Sequence, residues 1–250
     1  MPHPSTSSAY GIWSLNEVRD AVRGENWPEP FTIPFAGLEV LHLEAENFSG
    51  STWTATVGPD FTANGNVAST TVGGFPAITF DGSGDYFYTS SITVPSNASM
   101  FVVAVQNSGP LIIEQTTNGN TAGGFYFYTN NGNPYNVSRS TPNQAIRFNT
   151  SGDWWLNSPD IKLGSFNFDP NNSSFDLRLN NSNISAPLAG GSYANWTTNY
   201  DDTDEMWIGA RAGSLILFTG EVLEFLICGT MDAQTYNDTC SYFMTKYGLS

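Results

Sequence analysis

From Leu38 onward the sequence is a succession of short stretches in which apolar residues recur at every second position, and no other feature restricts its fold as strongly. "LEVLHLEA" (38–45), "FPAITF" (75–80), "DYFYTSSITV" (85–94) and "SMFVVAV" (99–105) are the first of them. "PLIIEQ", "GGFYFYT", "QAIRFN", "IKLGSFNF", "SSFDLRL", "MWIGA" and "SLILFTGEVLEFLIC" follow. Turn clusters such as "DGSGD", "TNNGNP" and "DPNNSS" separate them. A period of two places alternate side chains on opposite faces of a strand, and Gly/Asn/Pro clusters end strands. About a dozen short strands with almost no intervening helical pattern predict two stacked antiparallel sheets.

Two stretches break the period. At the C-terminus, Asp232 is placed to cap a helix in which Tyr236, Cys240, Phe243 and Tyr247 share one face, and Gly248 stops it. Near the N-terminus, Ser14 and Glu17 form a capping box. Leu15, Val18 and Val22 then fall on one helical face, between Trp13 and Trp27, and Gly24 ends the run. So short a helix is not stable alone in water and needs a surface to pack on. The proline-bearing "PEPFTIPFAG" (28–37) reads as an extended connector. The expected organisation is an arm over 1–37 and a sandwich over 38–250, with Trp13, Leu15, Val18, Val22 and Trp27 as the arm's docking face.

Composition excludes several functions. The formal net charge is −15, with eight Lys and Arg in 250 residues, which is the wrong sign for nucleic acid and for anionic membrane surfaces. No apolar run is long enough to span a bilayer. No basic segment followed by an apolar one marks a secretory leader, so the expectation is a protein that is not exported. Cys228 and Cys240, the only cysteines, are expected as buried free thiols.

Three stretches of the sandwich resemble the laminin G-like, concanavalin A-like jelly rolls of bacterial and viral proteins. They are "FPAITFDGSGDYFYTSSITV" (75–94), "WIGARAGSLILFTGEVLEFLIC" (207–228) and "YFMTKYG" (242–248), in the family's order and spacing. The resemblance implies an all-β jelly-roll sandwich and leaves function open, since this fold carries lectins, glucanases and structural modules. The N-terminal segment is similar to one in virion structural proteins of tailed bacteriophages, through Gly11, Ile12, Trp13, Ser14, Leu15, Glu17, Val18 and Trp27-Pro28. That resemblance implies a virion component, made in the host cytoplasm, present in several copies or as a homo-oligomer, and bound to capsid or tail subunits.

Candidate chemistry is sparse. Retaining glycoside hydrolysis needs two carboxylates about 5–5.5 Å apart. The nearest pattern, Glu221-Val-Leu-Glu224, lacks a central Asp, and strict alternation would put the two carboxylates on opposite faces. His3 and His42 lack a triad context. No catalytic residue is assigned, and the expectation is a non-enzyme. Asp201, Asp202 and Asp204 in "DDTDE" form a candidate Ca²⁺ site by their hard oxygens, with no other cofactor expected. Asp81 and Asp85 in "DGSGD" are the weaker alternative. Sugar binding needs displayed aromatic rings with amide partners. Trp154, Trp155, Asn157, Asn195, Trp196 and Asn199 offer both, whereas Trp207 falls in a strand expected to be core. The leading reading is a structural accessory of a phage particle, as capsid decoration or fibre. The alternative is a carbohydrate-binding module that attaches to host-surface glycan.

Overall fold

The computed structural model describes residues 33–95, 97–108, 112–117, 124–130, 133–141, 144–148, 160–169, 174–184, 188–190, 204–210 and 217–250. The arm residues Trp13 to Trp27 therefore lie outside the described residues, and Pro34–Ser250 forms one compact unit. In chain order the strands are β1 Glu39–Glu44, β2 Phe48–Ser49, β3 Thr52–Trp53, β4 Phe61–Asn64, β5 Ala68–Val72 and β6 Phe75–Asp81. β7 Tyr86–Thr89, β8 Ser99–Ser108, β9 Ile112–Thr117, β10 Gly124–Asn130, β11 Asn133–Thr141 and β12 Gln144–Phe148 come next. β13 Lys162–Asp169, β14 Ser174–Leu179, β15 Ser182–Asn183, β16 Leu188–Gly190, β17 Asp204–Ile208 and β18 Thr219–Cys228 complete them, and helix α1 spans Ala233–Tyr247.

All described pairings are antiparallel and build two sheets. One runs β15-β14-β13-β8-β18-β6-β5, with β1 also paired to β18; the other runs β16-β12-β11-β10-β9-β17-β7-β4-β3-β2. This is the expected jelly-roll β-sandwich. Between the sheets Leu41, Phe80, Val102, Phe166 and Phe225 of the first meet Trp53, Phe61, Phe87, Ile113, Met206 and Ile208 of the second. The second sheet alternates accordingly in β4, where Phe61 is buried and Thr62 and Asn64 are exposed, and in β7, where Phe87 and Thr89 are buried and Tyr86 and Tyr88 are half-buried.

The centre of the first sheet is buried on both faces. Residues 99–106 of β8 are all buried, because Met100, Val102 and Ala104 face the sandwich while Phe101 and Val103 face α1. The helix begins where Asp232 accepts a bond from the Thr235 amide at 2.7 Å. It ends at Gly248, left-handed at φ 63°, with Leu249 N–H reaching back to the Met244 carbonyl. Its stripe of Tyr236, Cys240, Phe243 and Tyr247 is buried, with the Phe243 ring stacked on Phe101 and on Phe35. Cys228 and Cys240 are free and buried, and burial pushes both thiol pKa values up. Among the described residues no helix is long and apolar enough to cross a membrane.

Candidate functional site

The acidic pairs weighed for catalysis and metal binding serve the frame. Asp85 is fully buried, and its two oxygens accept from the Asn66 and Asp81 amides at 2.6 and 2.8 Å. A β-carbon on Gly65 would come within 2.3 Å of the Asp85 carboxylate, so glycine is required there. Glu221 and Glu224 correct one expectation. A bulge at Leu223 breaks the alternation, so Glu221 pairs with Val105 and Glu224 with Val103, two positions on one face of β8. The carboxylates nevertheless have separate partners. Glu221 takes the Asn107 amide, whereas Glu224, fully buried, is gripped by three side chains from two elements.

Glu224 Oε1 lies 2.7 Å from His42 Nε2 on β1. Its Oε2 accepts from Lys246 Nζ at 2.6 Å and from the Tyr247 hydroxyl at 2.5 Å, both in the last turn of α1. Lys246 also reaches Glu44 at 3.0 Å. Burial disfavours the Glu224 charge, but the bonds from His42, Lys246 and Tyr247 and the lysine's own charge outweigh it and hold the pKa below the usual range. His42, Glu44 and Glu224 are ligand-type groups within 4.8 Å of one another. The ammonium of Lys246 already bonds both carboxylates, so the cluster carries its own cation and acts as a clamp between helix and sheet. Sequence reading missed it because its five members are scattered over 42 to 247.

The outer face of the second sheet is different. Tyr88 on β7 stands directly opposite Trp207 on β17, and Tyr86 lies diagonally beside it. The indole centroid is 4.8 Å from each phenol ring, so three half-buried rings form one continuous patch. Exposed Thr62 and Asn64 on β4 stand opposite Tyr88 and Tyr86. Glu205, two residues before Trp207 and on the same face, accepts the Tyr88 hydroxyl at 2.9 Å. Burial, together with this bond and the neighbouring negative charge, raises the phenol's pKa. The Trp207 N–H has no acceptor among the described residues, and an unmade bond at a covered donor costs about 1–3 kcal/mol. Gly209 fixes the strand end behind the patch: at φ 93° a β-carbon there would strike the Phe80 ring at 2.5 Å.

Trp207 is thus corrected from core to outer face. β17 is a core strand through Met206 and Ile208, and alternation turns the indole between them outward. The signal was in "DYFYT" and "EMWIG", whose alternation separates Tyr86, Tyr88 and Trp207 from Phe87, Met206 and Ile208. Trp154, Trp155, Asn157, Asn195, Trp196 and Asn199, proposed from sequence for sugar, lie outside the described residues, as do Asp201 and Asp202. Asp204 opens β17, its backbone paired with Thr117.

No protein-family model matches the chain, and no curated protein matches it. Solved structures do. Domain 4 of AbnA, an extracellular arabinanase from Geobacillus stearothermophilus in complex with arabinotriose, superposes with a TM-score of 0.61 at 10% identity, covering 81% of this chain and 98% of that one. The binding domain of botulinum neurotoxin serotype D gives 0.59 at 12%, covering 84% of this chain and 53% of that one. A Trypanosoma rangeli sialidase gives 0.58 at 13%, covering 92% and 40%. The chain spans about half the length of the toxin domain and less of the sialidase. At such identities the likeness is one of fold: the chain is a jelly-roll β-sandwich of the kind these proteins contain.

Proposed function

We propose that the chain is a non-catalytic carbohydrate-binding module whose sugar-stacking surface is the outer face around Trp207. The observation that carries this reading is the Tyr86–Trp207–Tyr88 patch bordered by Thr62, Asn64 and Glu205. A pyranose presents an apolar C–H face and an equatorial rim of hydroxyls. The first packs on aromatic rings, and the second needs amide, hydroxyl or carboxylate partners beside them. A similar solved fold, domain 4 of the arabinanase, binds arabinotriose in its structure, which favours the same reading. The non-catalytic part rests on Glu224, whose oxygens are both engaged, and on Glu221, which has Asn107 rather than a second carboxylate as its partner. Residues 1–33 complete the proposal as an arm that fixes the module to a larger assembly, with a virion capsid or tail as the carrier suggested by the segment its sequence resembles.

Affinity electrophoresis in laminarin, agar, arabinan, xylan and mixed-linkage β-glucan tests the proposal. The chain is expected to be retarded by at least one of them. Stacking of bases on aromatic side chains is worth roughly 1–3 kcal/mol each. Carried over to a sugar, that makes Trp207→Ala weaken retention about tenfold to a hundredfold, with the melting temperature little changed. Free migration in every polysaccharide, or full retention of Trp207→Ala, refutes the assignment of this face.

A further inference from the structure

Building on the carbohydrate-binding reading, we propose that the ligand is the interior of an extended polysaccharide chain laid across the strands, rather than a terminal sugar held in a pocket. The register of the second sheet carries this. Directly opposed positions form one unbroken row: Thr62 on β4, Tyr88 on β7, Trp207 on β17, Glu114 on β9, Tyr126 on β10, Ser138 on β11 and Arg147 on β12. Directly opposed residues occupy the same face of a sheet. The neighbouring row, one residue along each strand, is Ala63, Phe87, Ile208, Ile113, Phe127, Val137 and Phe148.

The contrast between these rows assigns the faces. The second row is wholly apolar, and its Phe87, Ile208 and Ile113 are core residues, so it is the inner row. The first is the outer row, and across seven strands it combines aromatic residues at three positions with hydrogen-bonding residue types at the other four. With strands about 4.8 Å apart, the row spans about 29 Å, and its aromatic positions from Tyr88 to Tyr126 span about 14 Å. A terminal monosaccharide would use the Trp207 patch alone and gain nothing from Tyr126, two strands away. A chain lying along the row meets aromatic positions at Tyr88, Trp207 and Tyr126, with polar positions between and beyond them. Nothing in core packing asks for tyrosine, glutamate and serine in this order on the outer face.

The test uses fragments of two, four, six and eight sugar units prepared from whichever polysaccharide retards the full chain, titrated by calorimetry. Affinity is expected to rise at least tenfold from the two-unit to the six-unit fragment. Tyr126→Ala should remove that gain while leaving two-unit binding within about twofold, whereas Trp207→Ala should weaken every length. Equal affinity for two and six units overturns the proposal while leaving the carbohydrate-binding reading intact, as does a Tyr126→Ala chain that keeps the full gain. Free migration in all the polysaccharides overturns both. The fragment series on the unaltered chain decides the matter even where Tyr126→Ala fails to fold.

Discussion

At the scale of single residues the chain makes two opposite uses of polar chemistry. Glu224 is a fully buried charge with three partners, and its ionisation ties the last turn of α1 to β18 and β1. Its depressed pKa means that the stabilisation is complete above the ordinary carboxylate range, about pH 4.3, and is lost as pH falls through the folded value. Lys246 behaves in the opposite sense. Desolvation works against its charge, but Glu224 and Glu44 raise its pKa, so its contribution is complete below the ordinary ammonium range, about pH 10.4, and fades as pH rises through the folded value. The contributions of the Glu224 carboxylate and the Lys246 ammonium are therefore both complete between those limits. Lys246→Met leaves a buried carboxylate without its cation, a change that costs about 3–5 kcal/mol in buried pairs. The lysine side chain keeps 27% of its exposure, which puts the expected loss at the lower end. Urea unfolding at pH 7 measures it, and a midpoint within error of the parent's would show that the clamp contributes nothing. Trp207 is the reverse case, a covered indole N–H that finds no acceptor among the described residues.

At the scale of elements, the terminal helix was legible in full. Asp232, the stripe at 236, 240, 243 and 247, and Gly248 each follow from local chemistry that tertiary contacts did not override. Removing the largest apolar contact of that stripe, Phe243→Ala, is expected to cost about 3–5 kcal/mol, because the residue is 1% exposed and sits between two aromatic rings. A thermal melt unchanged by the substitution would show that the stripe does not hold the helix. Most strands were equally legible from their alternation, but β2 to β5, β11, β15 and β16 were not. "FTAN" is short, "ASTTV" is polar and mostly exposed, and "NPYNVSRST" begins inside a cluster that reads as a turn. Such strands owe their pairing to neighbours that a local pattern cannot reveal. The bulge at Leu223 was hidden for the same reason. It reverses which faces the two glutamates occupy, and nothing local in Glu-Val-Leu-Glu announces an extra residue. The outer patch stood midway: the alternation that creates it is in the sequence, but only the pairing of β7 with β17 brings Tyr86 and Tyr88 against Trp207.

At the scale of the whole molecule, the informative residue is Phe35. It belongs by sequence to the proline-bearing connector, yet it is 1% exposed and packs against His42, Tyr242 and Phe243. The compact unit accordingly starts at Pro34. The connector's last residues are part of the layer that covers the first sheet, and Phe35 fastens β1 to α1 from outside the strand order. This yields a pair of truncations with different outcomes. A chain beginning at Pro34 is expected to melt as cooperatively as the full chain and to keep its polysaccharide retention, since the compact unit is Pro34–Ser250 and every position named in the outer row lies within it. A chain beginning at Leu38 loses a fully buried phenylalanine, and stability should fall by about 3–5 kcal/mol, as for other large apolar deletions from a core. Both chains should lose attachment to the carrier if residues 1–33 hold the docking face of Trp13, Leu15, Val18, Val22 and Trp27. Calorimetric melting separates the first two outcomes, and co-sedimentation with the carrier particle reads the third. Equal melting of the two truncated chains would show that Phe35 is dispensable. Undiminished co-sedimentation of the chain beginning at Pro34 would move the docking surface from the arm onto the sandwich itself.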